Sequence, residues 1–194
     1  MIYTLGILLL LFQGFFSSAN EEHLKLIVIR NGKEVGYTTA TKSNFSDQVK
    51  YISHTLTKVN VLKEIDVLFT SEVYMEDGVL SSSEVQVSVN GRMHTTTRTL
   101  RNGSSYQVIQ DGKSKDQIAD DITYTSVMLL FEEPHLTDYS YSEKTGEMHS
   151  IRQLAPHSYE KEDGKGRISQ YYYENGELVK ARVDSGFFKF ELIR

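Results

Sequence analysis

The chain of 194 residues has no cysteine, no tryptophan and only two prolines. The lack of cysteine excludes disulfide bonds, cysteine-based zinc sites, iron–sulfur clusters and a thiol nucleophile. It also excludes a lipid attached to an N-terminal cysteine after export. The net charge is −5, and the chain contains no run of lysine or arginine. Nucleic-acid binding is therefore not expected, because basic side chains that neutralise phosphates supply most of that affinity.

The first 19 residues contain no charged side chain, in contrast to the rest of the chain. An apolar stretch from Gly6 to Phe16 is followed by Ser17–Ala19 and then by the polar Asn20–Glu22. Small residues at the last and third-last positions before an abrupt polar change are typical of a signal-peptide cleavage site. We predict a signal peptide over residues 1–19, with an uncleaved membrane anchor as the alternative.

The remaining chain has the length and composition of one domain, which we place over residues 20–194. No second apolar run approaches the roughly 18–20 residues that span a bilayer, so we expect no stable membrane insertion after signal cleavage. An exported chain without cysteine fits a bacterial envelope better than the secretory route of higher cells. We therefore expect the periplasm as its location, with the extracellular space as the alternative.

Turn signals recur along the whole mature chain. Asn or Asp precedes Gly in the pairs Asn31-Gly32, Asp77-Gly78, Asn90-Gly91, Asn102-Gly103, Asp111-Gly112, Asp163-Gly164 and Asn175-Gly176. Such pairs suit tight hairpin turns, because both residues adopt positive φ at low cost. Between them lie runs rich in Val, Ile, Thr, Tyr and Phe, in which apolar and polar residues alternate as on a strand with one buried face. The intervals are too short for crossover helices, and this predicts an antiparallel meander.

The predicted fold class is all-β. We place strands over residues 23–30, 34–43, 48–57, 62–76, 79–90, 92–101, 104–110, 137–143, 148–160, 167–174, 177–184 and 187–193. Strand twist accumulates in so long a sheet, so we expect it to curl into an open or half barrel. Ile118, Ile122 and Leu129 instead recur at helical spacing before Pro134. They predict a short helical insert near residues 115–131, across one open end or the concave face.

Five stretches of the mature chain carry a family resemblance. They are Asn31–Lys42, Asp77–Asn90, Ile122–Pro134, Tyr141–Gly146 and Gly166–Leu178, and the most distinctive feature is Glu133-Pro134 after an aromatic and apolar run. In order and spacing they resemble an exported family of Bacteroidetes that is catalogued as domain of unknown function 6134. The resemblance covers essentially all of the mature chain. It implies an envelope protein with a curved sheet and no assigned activity, and it carries over no catalytic residue.

The apolar segment Thr123–Phe131 is the first candidate for a binding site. It could line a pocket for a lipid or another apolar small molecule, as in barrels with a concave sheet. It could equally fill the curved sheet as core. The candidate ligand-binding residues are Tyr124, Met128, Phe131, Glu133, Tyr141 and Glu143. Our leading hypothesis is a non-enzymatic protein that binds an apolar ligand, or a partner protein of the envelope, on the concave face.

Carboxylates and histidines around Glu133 are the second candidate. Glu132-Glu133-Pro134-His135, with Glu143 and His149 further on, lacks the spacing of known zinc motifs, so we expect neither a metal nor another cofactor. Glu133, Glu143 and His149 support the alternative of a hydrolase acting on envelope glycan, which requires at least two of these three in one water-accessible cleft. A Gly-x-Ser-x-Gly nucleophile motif is absent.

A third hypothesis is a structural module that pairs through an open sheet edge. The C-terminal strand, Phe187–Ile193, is the natural candidate for that edge. Tyr171, Tyr172 and Tyr173 could offer a stacking platform, but alternate residues of a strand face opposite ways. We therefore expect Tyr171 and Tyr173 to share one face, as core or cross-strand partners, and Tyr172 to face the other way.

Overall fold

The computed structural model describes residues 20–60, 64–115 and 117–194, which form fourteen strands and one 3-10 turn. The strands are β1 (Asn20–Arg30), β2 (Lys33–Asn44), β3 (Gln48–Asn60), β4 (Glu64–Glu76), β5 (Val79–Val89), β6 (Arg92–Asn102), β7 (Ser105–Gln110), β8 (Lys113–Ser114), β9 (Tyr139–Ser142), β10 (Glu147–Ala155), β11 (Ser158–Glu162), β12 (Ile168–Glu174), β13 (Glu177–Asp184) and β14 (Lys189–Ile193). The 3-10 turn is Met128–Leu130. None of these residues belongs to a helix with the length and apolar character of a membrane span. The predicted signal peptide lies outside the described residues.

All fourteen strands belong to one antiparallel sheet, and the predicted all-β meander is confirmed. Strands β1 to β8 follow one another outward in one direction. The chain then continues from the opposite edge, where β9 to β14 follow one another inward until β14 pairs with β1. The sheet is open, because its two edges, β8 and β9, do not pair with each other.

The C-terminal strand is not an edge, so that prediction is wrong. Ile193 of β14 lies opposite Ile27 of β1, and on its other side β14 pairs with β13, where Phe190 faces Val183. The true edges offer little to a partner strand: β8 has two residues, and β9 is covered by a parallel bridge between Tyr141 and Thr125. Turn signals show that consecutive strands pair, but they do not show which strand meets β1.

Most of the predicted turns are present, and one turn was missed. Asn31, Asp77, Asn90, Asp111 and Asn175 have φ values of 51–52°. The interval 148–160, predicted as one strand, is divided into β10 and β11 by a turn at Pro156 and His157. His157 adopts a φ of 61° there, without the glycine that marks the other turns.

The insert before β9 covers one end of the curved sheet. Leu129 and Ile122 are fully buried, Leu80 N–H donates to the Ile122 carbonyl at 2.8 Å, and the Tyr173 hydroxyl donates to the Leu129 carbonyl at 2.8 Å. The predicted helical character is limited to Met128–Leu130. Around it the insert consists of turns and irregular chain, because some of its backbone groups, such as the Ile122 carbonyl and the Ser126 N–H, bond to neighbouring strands.

The turn between β9 and β10 lies against the inner face of β6 and β7. Thr97 Oγ1 donates to the Lys144 carbonyl at 2.7 Å, and Gln110 Nε2 donates to the same oxygen at 3.0 Å. Gly146 has a φ of +66°, and a Cβ there would lie 2.5 Å from Cγ1 of Val108, so only glycine lets the turn approach this closely. The two edge regions of the sheet therefore contact each other through side chains without pairing as strands. The sheet as a whole has the shape of a trough.

Candidate functional site

The interior of the trough has two parts, which we call the packed half and the cleft half. In the packed half, large side chains fill the space, including the fully buried Leu26, Leu80, Tyr106, Ile122, Leu129 and Tyr141. The cleft half encloses a cleft of about 230 Å³ between β2–β5 on one side and β11–β14 on the other. The inner face of the trough thus changes from filled to open along the same set of strands.

One wall of the cleft is built from small hydroxyl side chains. It consists of Thr38 on β2, Ser53, Thr55 and Thr57 on β3, and Ser71 on β4. Serine and threonine here occupy inward positions that tyrosine, leucine and methionine occupy in the packed half, so the space is not filled. The hydroxyls of Thr38 and Thr55 lie 2.8 Å apart and satisfy each other.

A second part of the wall is apolar. Phe69 and Val87 lie on β4 and β5, and Phe188 and Phe190 lie on the C-terminal side of the chain, where their rings pack 5.6 Å apart. Val127 and Leu130, which flank and end the 3-10 turn, close the cleft toward the packed half. Apolar side chains with few polar groups are the usual lining of a small-molecule site.

Titratable side chains also line the cleft. Its lining includes Glu143, Lys144, His149, Lys161, Asp163, Arg167 and Asp184. Nε of Arg167 lies 2.6 Å from Oδ2 of Asp163, so these two charges neutralise each other. Burial acts to raise the pKa of Asp163, but hydrogen bonds from the backbone and side chain of Arg167 outweigh it and lower the pKa.

Gly186 makes room for the guanidinium of this ion pair. It has a φ of +81°, and a Cβ there would lie 1.8 Å from Nη1 of Arg167. The Gly186 N–H also donates to Oδ1 of Asp184 at 3.0 Å, while Oδ2 of Asp184 lies 3.4 Å from Nζ of Lys189. Each of these two aspartates therefore has a cation beside it.

Lys144 and Lys161 differ from the other half-buried lysines of the described chain. Those others each contact a carboxylate: Lys42 contacts Glu132, Lys50 contacts Glu72, Lys115 contacts Glu147 and Lys180 contacts Glu191. Within the described residues, neither Lys144 nor Lys161 has a carboxylate oxygen within 4.0 Å of its ammonium. Lys144 Nζ donates to the Ser185 carbonyl at 2.8 Å, and Lys161 Nζ donates to Ser126 Oγ at 2.9 Å.

The pKa of Lys144 is lowered chiefly by burial. Together with the nearby cations Arg167 and Lys161, burial lowers it to about 8, and the charge of Asp163 offsets only part of this shift. The ammonium also lies 4.8 Å from the ring centre of Phe187 at the mouth of the cleft. A protonated Lys144 is thus held by a carbonyl and an aromatic ring, which are weaker partners than an anion.

Glu143 and His149 are the most buried titratable groups of the cleft. Oε1 of Glu143 accepts a hydrogen bond from the Val127 N–H at 2.9 Å, and burial raises its pKa despite that bond. Nε2 of His149 lies 3.1 Å from Oγ1 of Thr145. Burial, together with the charge of Lys161, lowers the pKa of His149 to about 4, so its imidazole is neutral at pH 7.

The six candidate residues predicted from the sequence are divided between the two halves. Glu143 lines the cleft. Tyr124, Met128, Phe131 and Tyr141 are buried in the packed half instead. The cleft-lining members of the same segment are Ser126, Val127 and Leu130. The segment Thr123–Phe131 is therefore divided, because some of its residues face the core and others face the cleft.

Glu133, the sixth candidate, lies in a separate cluster outside the lining of the cleft. Its carboxylate accepts from the Tyr159 hydroxyl at 2.8 Å and lies 3.0 Å from Nδ1 of His157 and 3.3 Å from Nε2 of His135. Burial acts to raise the pKa of Glu133, but these partners outweigh it and lower the pKa. No group of three or more His, Cys, Asp or Glu residues in the described part of the chain has the arrangement of a metal site.

Sequence reasoning missed the cations and the hydroxyl wall. A signal for the wall was present on β3, where the inward positions read Tyr51, Ser53, Thr55, Thr57 and Val59, with polar residues inside an otherwise apolar face. No comparable signal existed for Lys144, Lys161 and Arg167. They come from a turn, a strand and a loop, and only the curvature of the sheet brings them to one cleft.

Comparison with known proteins identifies a family without an assigned activity. The model of domain of unknown function DUF6134 matches residues 27–194, which include nearly all of the described strands. No curated protein and no solved structure matches the chain. Since the match covers well over half of the sequence, the chain belongs to the DUF6134 family.

Proposed function

We propose that this protein is an exported, non-enzymatic binding protein that holds a small apolar ligand inside the trough. The observation that carries the proposal is the cleft itself, which is unfilled while the adjoining half of the same interior is packed. Protein interiors are normally close-packed, and voids larger than a water molecule are few. We therefore infer that a space of this size with aromatic walls is kept open to hold a ligand.

The volume of the cleft favours a small molecule over a partner protein. At about 230 Å³ it is somewhat smaller than the roughly 300–1,000 Å³ of sites for drug-sized ligands. Val127 and Leu130 close it on the side of the insert, so a ligand would be enclosed from several directions. A folded partner would have to bind outside the cleft and would leave it empty.

The first experiment measures uptake of N-phenyl-1-naphthylamine, an uncharged apolar fluorophore, by the full chain. Thr38→Leu adds volume on the inner face of β2, and Thr39→Leu adds the same volume on the outer face of the same strand. We expect the wild type and Thr39→Leu to bind the fluorophore, and Thr38→Leu to bind it at least tenfold more weakly. Absence of binding by the wild type, or equal binding by the two variants, would overturn the proposal.

Export is supported by the features of residues 1–19 and by the resemblance to exported members of the family. The experiment is to express the full chain in a bacterium and to sequence the N-terminus of the protein recovered from the periplasm. We expect a mature chain that begins at Asn20. Recovery of an intact N-terminus from the cytosol would contradict this part of the proposal.

A second candidate is a hydrolase acting on envelope glycan. One observation favours it: Glu143 and His149 line the same cleft, and a carboxyl group whose pKa is raised by burial suits a general acid. Release of soluble fragments from purified envelope glycan would support it if the release is lost in Glu143→Gln and kept in Glu147→Gln, which changes an exposed carboxylate. If the wild type releases no soluble fragments, the hydrolase is rejected and the binding function is the remaining proposal.

A further inference from the structure

We propose that the cleft selects an anionic amphiphile with a single apolar chain, whose charged head lies between Lys144 and Lys161. The inference rests on the proposed function, because it names the class of ligand that the cleft would bind. Three features of the structure support it: two ammonium groups without carboxylate partners, an excess of positive charge in the lining, and apolar walls with room for one chain.

The first feature is the pairing of lysines. Lys42 and Lys115, which are also partly buried, each have a carboxylate oxygen at 2.7 Å. Half-buried ammonium groups are costly to desolvate unless an anion compensates for the lost water. Lys144 and Lys161 contact only neutral oxygens of the protein at the cleft. An anionic head group in the cleft would give them the partner that the other lysines already have.

The second feature is the balance of charge in the lining. Arg167 is neutralised by Asp163, and Asp184 is accompanied by Lys189 at the rim. Glu143, the remaining acid, is deeply buried, its Oε1 accepts from the Val127 N–H, and the charge of Lys161 acts on its carboxylate. With Lys189 at the rim counted, four cations face three acids, so one positive charge is in excess beside Lys144 and Lys161.

The third feature is the chemistry of the rest of the cleft. Phe69, Phe188 and Phe190 give it aromatic walls, and the hydroxyls of Thr38 and Thr55 bond to each other instead of requiring a polar ligand. An apolar chain can lie along the aromatic walls, whereas Oγ of Ser71 and Nδ1 of His149, which line the same cleft, have no hydrogen-bond partner within the described residues. The volume of about 230 Å³ suits one chain of moderate length and is too small for a lipid with two long chains.

The proposed head group is an anion, and two classes of single-chain amphiphile carry one: fatty carboxylates and single-chain phosphate esters. Both have anionic oxygens that accept hydrogen bonds from ammonium groups. Four ligands with the same ten-carbon chain separate the possibilities: decanoate, decyl phosphate, decanol and decyltrimethylammonium. Their affinities for the full chain can be measured by displacement of N-phenyl-1-naphthylamine and by calorimetry.

We expect decanoate, decyl phosphate or both to bind at least tenfold more tightly than decanol, and decyltrimethylammonium to bind most weakly. The tighter of the two anions identifies the source. Shortening that ligand from ten to eight carbons should weaken binding about fourfold for each methylene removed, since the chain contacts apolar walls. A dependence on chain length together with a dependence on charge is the signature of an amphiphile site.

Variants of the lysines locate the head group. Lys144→Met and Lys161→Met should each weaken binding of the preferred anion about tenfold and leave decanol binding unchanged, while Lys161→Arg should retain most of the affinity. Lys165→Met is the matched control, because Lys165 is exposed and lies outside the cleft lining. Thermal melts show whether each variant is folded. If Lys161→Met is not folded, Lys161→Arg still provides a test of the position of Lys161.

The outcomes separate this inference from the proposed function. If none of the four ligands binds, the cleft has no apolar ligand of this size and the proposed function fails with the inference. If decanol binds as tightly as both anions, the proposed function stands and the anionic head group is overturned. Unchanged binding of the anion by Lys144→Met and Lys161→Met would overturn it as well.

Discussion

The packed half and the cleft half of the trough share strands β2–β5 and β11–β14, on which they differ in their inward side chains, while β1 and β7 line only the packed half. On β3, Tyr51 belongs to the packed half, whereas Thr55 and Thr57 line the cleft. On β4, Met75 belongs to the packed half and Ser71 to the cleft. The backbone curvature is shared, so side-chain volume decides which part of the interior is filled and which is left open.

The two halves also differ in how their polar groups are satisfied. In the packed half, the hydroxyl of Tyr124 donates to the Glu132 carbonyl at 2.6 Å, and that of Tyr51 donates to the Glu132 carboxylate at 2.6 Å. Burial raises the pKa of both tyrosines, which keeps them neutral donors. In the cleft half, Lys144 donates to the Ser185 carbonyl and Lys161 donates to Ser126 Oγ, so neither ammonium contacts a carboxylate. The proposed anionic ligand would supply that partner.

The largest expected difference between the halves concerns two adjacent leucines. Leu129 is fully buried in the packed half, and Leu130 lines the cleft. We expect Leu129→Ala to lower the free energy of unfolding by about 2–5 kcal/mol, as truncations in close-packed cores do. Leu130→Ala should cost clearly less, because its neighbours on one side are already missing. Urea unfolding of both variants measures the difference, and equal losses would contradict the division into two halves.

The next prediction concerns the pH dependence of stability at His149. Its pKa is about 4 in the folded protein and 6.5 in the unfolded chain. Above pH 6.5 the imidazole is neutral in both states and the stability is complete. As the pH falls from 6.5 toward 4, His149 binds a proton in the unfolded chain but stays neutral in the folded protein, which favours unfolding. Each pH unit between the two values is worth about 1.4 kcal/mol, so stability falls by up to about 3 kcal/mol.

Denaturant unfolding at several pH values checks this expectation. The groups that act on His149 include Lys161 and Arg167, which oppose its protonation, and Asp163 and Glu147, which favour it. His149→Gln should flatten the decline between pH 6.5 and pH 4. His54→Gln, which changes an exposed histidine on β3, is the control and should not flatten it. An equal pH dependence in the wild type and His149→Gln would show that this imidazole is not held neutral by burial.

The smallest expected effect is a change in the free energy of unfolding when Lys42 or Lys161 is replaced in the protein without ligand. Lys42→Met removes a cation that contacts Glu132 and should destabilise the protein by about 1 kcal/mol. Lys161→Met removes a half-buried charge without a carboxylate and should leave the stability unchanged or raise it by up to about 1 kcal/mol. Thermal unfolding of the unliganded variants measures both. A loss at Lys161 as large as that at Lys42 would indicate that Lys161 serves the fold and not a ligand.

Local patterns were sufficient for much of the fold. Pairs such as Asn31-Gly32 predicted hairpins, and their residues adopt the positive φ that such turns need. Alternation on β12 predicted that Tyr171 and Tyr173 share a face, and both are buried while Tyr172 faces Arg182 on the other side. These predictions succeeded because turn geometry and the two-residue period of a strand act over a few neighbouring residues.

Other features were beyond local patterns. The turn at His157 lacks a glycine, and this residue also contacts Glu133, which is 24 positions away in the chain. The insert resembled a helix in the spacing of its apolar residues but consists mostly of turns and irregular chain, because Ile122 and Thr125 bond to strands that the spacing does not reveal. In both places a contact between distant segments outweighed the local preference.

The amino-acid sequence by itself determined the all-β class, the antiparallel order of successive strands and the face on which each strand is buried. The tertiary structure decided that β14 lies in the middle of the sheet, that the interior is packed at one end and open at the other, and that Lys144, Lys161 and Arg167 meet at one cleft. The reason is physical. The period of a strand specifies a direction for each side chain, whereas the curvature of the whole sheet specifies what that side chain faces.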